Sequence, residues 1–394
     1  MMKRLISGLL ALAILTLAVG CRSTVETTTP TITHAASPTK APTETATPTI
    51  THTASPTKTP TESAYWPTED WRTSTPEKQG MDSAKLGEMM RSISDQNLAI
   101  DSVVVVRHGY IVFEKYPGLL YDKDTIHPVY SCTKSVVGAL IGIALKEGFI
   151  NSLQHKVVDY FSERTIQNLD SRKKSMTLEH LLAMTGGMEW NEWQYPYTDP
   201  RNDWIKALYS SDTVQYVLDL PMAVQPGVTW NYNGGYSYLL SAILTKTTKD
   251  NTLDFARKYL FEPLGISELN WNRDRHGIYD GAGGLSLTPR DMAKFGLLYL
   301  HNGKWDGKQI VPADFVAESV KTQHILSGVT GYGYESWWTG LLDGFYYAAG
   351  IYGQRIYVVP DLDLVIVFTA NIRGPDPEPQ LRSLVTESVM AACK

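Results

Sequence analysis

"SVVVVRHGYIVFEKY" (102–116) places a valine run before His108-Gly109 and a second β-rich run after it. β-Branched and aromatic residues flanking a two-residue break predict a β-hairpin. Comparable runs return only near the other end of the chain, in "FYYAAG" (345–350), "RIYVVP" (355–360) and "LVIVFTA" (364–370), with turns at Tyr352-Gly353 and Pro360-Asp361. The intervening sequence reads as helix. "DSAKLGEMMRSISDQ" (82–96), ahead of the hairpin, is amphipathic, with Leu86, Met89, Met90 and Ile93 on one side. Further helices are expected over 131–147, over "TLEHLLAM" (177–184) up to Gly186-Gly187, and over 289–303, where Thr288-Pro289 supplies a cap and an N1 proline. "PQLRSLVTESVMAA" (379–392) is a closing helix. A hairpin first, helices between and strands last describe a sheet built from both ends of one domain. That is an α+β fold rather than a βαβ repeat.

The folded part begins near residue 65. "MMKRLISGLLALAILTLAVGC" has basic Lys3 and Arg4, then an apolar run too short to span a bilayer, in the pattern of a secretory signal. Cys21 after Ala18-Val19-Gly20 resembles a bacterial lipobox. Residues 1–20 are therefore read as a lipoprotein signal peptide, with cleavage before Cys21 and lipidation of that residue. Acyl chains on Cys21 would hold the protein to a membrane from the exported side. Residues 21–64 hold the lipidated cysteine and a Thr/Pro-rich stalk in which "TPTITHAASPTKAPTETA" (29–46) is nearly repeated as "TPTITHTASPTKTPTESA" (47–64). Such a composition lacks the apolar side chains to offset ordering entropy. In polyproline II it reaches about 120 Å at ~3.1 Å per residue.

Of 394 residues, 43% are hydrophobic, and the formal charge of −5 is too small to imply nucleic acid as a partner. Ten Trp and 22 Tyr suggest a ligand cleft as well as a core. Besides Cys21 there are only Cys132 and Cys393, too few for a disulfide framework, and Cys132 reads as a small buried hydrophobe. The nine histidines are scattered without ligand spacing, and no metal or cofactor is expected.

Four Ser-x-x-Lys pairs occur: Ser37/Lys40 and Ser55/Lys58 in the stalk, Ser171/Lys174 in a polar run, and Ser131/Lys134 in "VYSCTKSVVGAL" (129–140). Only Ser131 opens a helix with a long apolar body. Its hydroxyl sits at the positive end of that helix, and Lys134 lies on the same face one turn on. Desolvation favours a neutral amine, so a buried Lys134 is expected to take the proton of Ser131 near neutral pH. A plain N-cap beside a lysine that reaches water is the competing reading.

"YSCTKSVVGALIG", "MTLEHLLAMTGGMEW", "PGVTWNYNGGYSYLLSAIL", "GAGGLSLTPRDMAKFGLLYL" and "YYAAGIYGQRIYVVPDLDLVIVFTAN", in this order, resemble the serine β-lactamase and penicillin-binding superfamily. The resemblance covers roughly residues 70–390 and points to its class C-like esterases and 6-aminohexanoate-dimer hydrolases. It implies a β-lactamase/transpeptidase-like fold, with an antiparallel sheet flanked by helices and a mostly helical subdomain. It also implies a catalytic tyrosine after Pro226-Gly227, here Tyr232, acting with Ser131 and Lys134. The family's asparagine two residues on is Gly234 in this chain, leaving Asn231 or Asn233 as substitutes. The family's Lys/His-Thr-Gly strand motif aligns with Ala348-Ala349-Gly350. Its carboxylate-binding cation is missing, and Arg355 is a replacement only if it points the right way. Gly350 and Ala349 would still line the substrate, with the N–H groups of Ser131 and Ile351 as oxyanion hole. Tyr197, in the aromatic loop 187–204, would donate to a leaving amine. Trp337 and Trp338 are equally read as packing or pocket wall.

The expected activity is cleavage of a small-molecule amide or ester through a Ser131 acyl-enzyme. The alternatives are a β-lactamase or D-Ala-D-Ala carboxypeptidase, which loss of the cation disfavours, and a non-catalytic binding module on the same fold.

Overall fold

A computed structural model describes residues 65–118 and 120–393. The predicted signal peptide, Cys21 and the repeat stalk lie outside the described residues. An eight-stranded sheet runs through the domain. In chain order its strands are β1 (Ile100–Arg107), β2 (Tyr110–Lys115), β3 (His324–Ile325), β4 (Thr330–Tyr332), β5 (Trp337–Gly340), β6 (Phe345–Gly350), β7 (Gln354–Val359) and β8 (Leu364–Ala370). They lie side by side as β2-β1-β8-β7-β6-β5-β4-β3, each pair antiparallel. The expected hairpin turns on His108 (φ +50°) and Gly109 (φ +77°), the left-handed pair a tight two-residue loop requires. Its partner is the last strand, with Val104 opposite Val367. The sheet is thus closed by the two ends of the domain.

Both faces are covered, which explains why β1 and β8 read as continuous apolar runs rather than alternating ones. Val104, Val106, Val365 and Val367 face one core, shared with helices α2 (Cys132–Lys146), α3 (Gly234–Thr248) and α4 (Pro289–Leu300). Val103, Val105, Ile366 and Phe368 face the other, against α1 (Ser83–Asp95) and the C-terminal helical segment. In α1, Leu86, Met89 and Ile93 are buried while Met90 is half-buried, because it lies at the edge of the apolar stripe. Thr288 caps α4 by accepting from the Asp291 N–H, with Pro289 in its first turn, as expected. The closing segment is not one α-helix: it is α-helical over Glu378–Ser383, a π-turn over Leu384–Val389 and 3₁₀ over Met390–Ala392. Cys132 and Cys393 are free thiols.

Candidate active site

α2 is apolar on every side and buried from Cys132 to Ala144, so it runs through the middle of the domain. Tyr130, just ahead of it, holds φ +46°, a conformation a bulky residue adopts only when its surroundings impose it. The Tyr352 ring packs edge-on against Tyr130 at 5.4 Å. Ser131 follows at the head of the helix, half-buried, and its side chain caps nothing. The plain N-cap reading therefore does not describe it. Instead Ser131 Oγ accepts from Lys134 Nζ at 3.2 Å.

Lys134 is 1% exposed. Its ammonium also donates to the Ala282 carbonyl at 2.6 Å. That carbonyl is presented by a turn whose Ala282 and Gly283 N–H groups both bond to Asp280 Oδ1. Tyr232 is 6% exposed, with its hydroxyl in hydrogen-bonding reach of both Ser131 and Lys134. Lys134 Nζ stands 4.9 Å from the centre of the Tyr232 ring. The three predicted residues are thus brought together from two helix starts.

The charge state expected for Lys134 needs correction. Burial does oppose the ammonium, but Tyr232 and Glu192 foremost outweigh it and hold Lys134 above its ordinary range. The lysine is charged at rest. Burial pushes the Tyr232 phenol up, against the pull of Lys134. Lys134 and Tyr232 therefore titrate as a pair, and the form able to take the Ser131 proton is the pair that has lost one proton.

Two acids that act on Lys134 were not singled out in the sequence. Glu192 lies in the "GMEWNEW" stretch, is 4% exposed, and accepts from Trp190 Nε1 (2.9 Å), Tyr197 OH (2.8 Å) and the Gly234 N–H (2.7 Å). Glu335 is fully buried, at φ +44°, and accepts from Ser237 Oγ at 2.7 Å. The only available signal was their position next to aromatic motifs, which also fits surface acids.

Tyr197 is thereby tied to Glu192, and its hydroxyl senses the charge of Tyr232. The two proposed substitutes for the family's asparagine are both engaged with backbone. Asn231 donates to the Trp190 carbonyl, and Asn233 Oδ1 accepts from Gly235 N at the start of α3. What lies over Gly234 is Glu192: a Cβ on Gly234 would meet its Oε2 at 3.1 Å.

Gly350 ends β6 beside the nucleophile, where a Cβ would lie 2.4 Å from the Val129 carbonyl oxygen and 3.2 Å from Ser131 N. This is the close approach expected of that glycine, and Ile351 follows it into the turn formed with Tyr352 (φ +64°) and Gly353 (φ +100°). Ala348 is fully buried in the core on the α2 side. Ala349 is half-buried, packs against the opposite core, and its carbonyl accepts from Ser336 Oγ at 3.3 Å. Arg355 does not replace the missing cation. It stands opposite Ala349 in the sheet, is 4% exposed, and pairs with Glu378 at 2.8 Å and Asp376 at 3.2 Å.

The tryptophans divide. Trp337 packs on Phe295, Tyr299 and Tyr346 inside the core. Trp338, with Trp193, Trp230 and Tyr332, surrounds Tyr232, every one of their ring centres lying 5.3–6.5 Å from that of Tyr232. Tyr232, beside Ser131 and Lys134, is thus bordered by aromatic surface.

Residues 77–389 match the beta-lactamase family model. The chain belongs to the beta-lactamase family. It is 26% identical over 301 residues to the 6-aminohexanoate-dimer hydrolase of Paenarthrobacter ureafaciens, covering 71% of this chain and 74% of that protein. A Bacillus anthracis structure provisionally named 6-aminohexanoate-dimer hydrolase superposes with a TM-score of 0.66 at 24% identity, over 77% of this chain and 80% of that one. A family VIII carboxylesterase superposes with a TM-score of 0.63 at 13% identity, over 81% of this chain and 99% of that one. The antiparallel sheet built from both ends and flanked by helices is the fold these relatives share. The protein is a serine hydrolase of this family.

Proposed function

We propose that the protein cleaves an amide or ester by forming an acyl-enzyme at Ser131. The contact from Lys134 Nζ to Ser131 Oγ, with the Tyr232 hydroxyl in reach of both, carries this reading. In the reactive form the Lys134–Tyr232 pair has given up one proton. Ser131 Oγ attacks the substrate carbonyl carbon as its own proton passes into the pair. The carbonyl oxygen becomes an oxyanion, received by the N–H groups of Ser131 and Ile351. Collapse breaks the bond to the leaving group, which takes a proton from the pair, for an amine through Tyr197, which gives up its proton and regains one from the pair. Water then attacks the acyl-enzyme by the same route.

The substrate reading is an uncharged amide or ester with an apolar acyl group. Aromatic rings border Tyr232 beside Ser131, Ala348 offers no cation, and Arg355 is neutralised by its own acids. A β-lactamase or D-Ala-D-Ala carboxypeptidase would need a partner for the substrate carboxylate, and Ala348 supplies none. The reading includes export and attachment to a membrane through lipidated Cys21, which the signal-like N-terminus supports.

The test is intact mass of the protein after exposure to a fluorophosphonate, a p-nitrophenyl ester and a penicillin, beside Ser131→Ala. A phosphonate adduct and ester turnover, both lost in the variant, are expected, with no stable penicillin adduct. Inertness to every probe would leave a binding module on this fold.

A further inference from the structure

We infer that Glu192 is a positioning residue for the nucleophile: its carboxylate sets the proton affinity of the Lys134–Tyr232 pair and fastens the Tyr197 loop to the start of α3. The inference rests on the Ser131 reading above and adds a residue to it.

All three hydrogen bonds at Glu192 are donated to it, by Trp190, Tyr197 and the Gly234 N–H, as suits a carboxylate. Each donor comes from a part of the site that must keep its place. Trp190 and Tyr197 bracket the loop, and Gly234 lies two residues after Tyr232. The carboxylate fits there because residue 234 has no side chain; a Cβ would stand 3.1 Å from Oε2 and 3.3 Å from the Ala282 Cβ. Through Ala282 the same spot borders the carbonyl that receives Lys134 Nζ. A buried negative charge there favours the ammonium of Lys134 and disfavours the phenolate of Tyr232. Both effects raise the pH at which the pair loses its proton.

Other titratable groups act on the pair. Glu335 packs against Gly138, one turn along α2 from Lys134, but burial pushes its carboxyl up to about 8, so at neutral pH it is mostly uncharged. Asp280, half-buried in the turn that carries Ala282, senses both Lys134 and Glu192 and is engaged by two backbone N–H groups. Tyr197 and Tyr332 complete the set, as phenols held in the protonated form by burial. Among them Glu192 joins charge, burial and a direct bond to the catalytic tyrosine's own segment.

The experiment is the pH dependence of fluorophosphonate labelling of Ser131 in the full-length protein, with thermal melting of each variant. Labelling rises with pH as the pair loses its proton. Glu192→Gln removes the charge and keeps the shape, and should move the rising limb down by about one pH unit or more. Glu192→Asp keeps the charge and should leave the limb near that of the parent. Glu335→Gln, replacing a mostly uncharged acid, should leave it in place below pH 8. If Glu192→Gln does not fold, Gly234→Ala displaces the carboxylate and should move the limb the same way by a smaller step. A limb unmoved in folded Glu192→Gln, or in Gly234→Ala where the first variant fails, overturns the inference. So does an equal shift in Glu192→Asp, which would trace the effect to shape rather than charge.

Discussion

Trp193 lies on Tyr232 with ring centres 5.3 Å apart and planes 24° from parallel. The indole is 60% exposed while the phenol beneath it is 6% exposed, so a surface side chain forms part of the cover over Tyr232.

A stacked aromatic contact is worth about 0.5–1.5 kcal/mol beyond the area it buries. Trp193→Ala should therefore raise KM for esters with apolar acyl groups by roughly two- to tenfold. Stability should fall by about 0.5–1.5 kcal/mol, the worth of the stacked contact itself. Steady-state kinetics on an acyl-chain series, with urea melts, check both. An unchanged KM across the series would show that substrate does not meet this face.

Lys134→Met removes the ammonium and keeps most of its volume. Ester turnover should fall by about 10²–10⁴, the usual worth of a positioned proton carrier. Stability should also fall, by about 3 kcal/mol, the low end for a buried charge that loses its partner, because Glu192 keeps three hydrogen-bond donors. Parallel loss of activity and of urea midpoint is the expected signature, whereas Ser131→Ala should lose activity alone.

At Gly350 the obstacle to a side chain is backbone. The Val129 oxygen would lie 2.4 Å from a new Cβ, and it cannot rotate away. Gly350→Ala should cost about 1–3 kcal/mol by overpacking. Its larger effect should be on turnover, about 10²-fold, because the displaced segment carries Ser131. Full activity in this variant would disprove the close fit of β6 against the nucleophile.

Glu335 makes a prediction about pH and stability. Burial raises its carboxyl to about 8 in the folded protein, against an ordinary 4.5. Between those values the folded state holds a proton that the unfolded state has released, so stability falls as pH rises through this window and levels off above about 8. The full effect is about 5 kcal/mol. Thermal melts from pH 5 to 9 should show this decline, and Glu335→Gln should remove that part of it. A slope unchanged by the substitution would place the titration elsewhere.

Much of the architecture was legible because local signals agreed with one another. The hairpin turn at His108-Gly109 and the cap at Thr288-Pro289 declare themselves through residue types that fit few other conformations. Ser131 and Lys134 stood out because a lysine at the head of an all-apolar helix has no solvated face to occupy. What stayed hidden depends on distance in the chain. Glu192 reads as one acid in a polar loop until its bond to the Gly234 N–H is seen. The charge on Lys134 was misjudged for the same reason. Burial can be inferred from the helix alone, but the groups that overrule it, Tyr232 and Glu192 foremost, lie far along the chain. The orientation of Arg355 was undecidable without the register that sets it against Ala349 and leaves it to Glu378 and Asp376.

The pairing of β1 with β8 sets a timetable for synthesis. The hairpin is translated early, and the strand that covers its inner edge is among the last segments made. Until then Val103–Val106 present an apolar edge to whatever is near, and β6, which brings Gly350 against the head of α2, is also still to come. A nascent chain that stopped short of residue 364 would leave the inner edge of the hairpin unpaired, and that edge needs protection until the chain is complete.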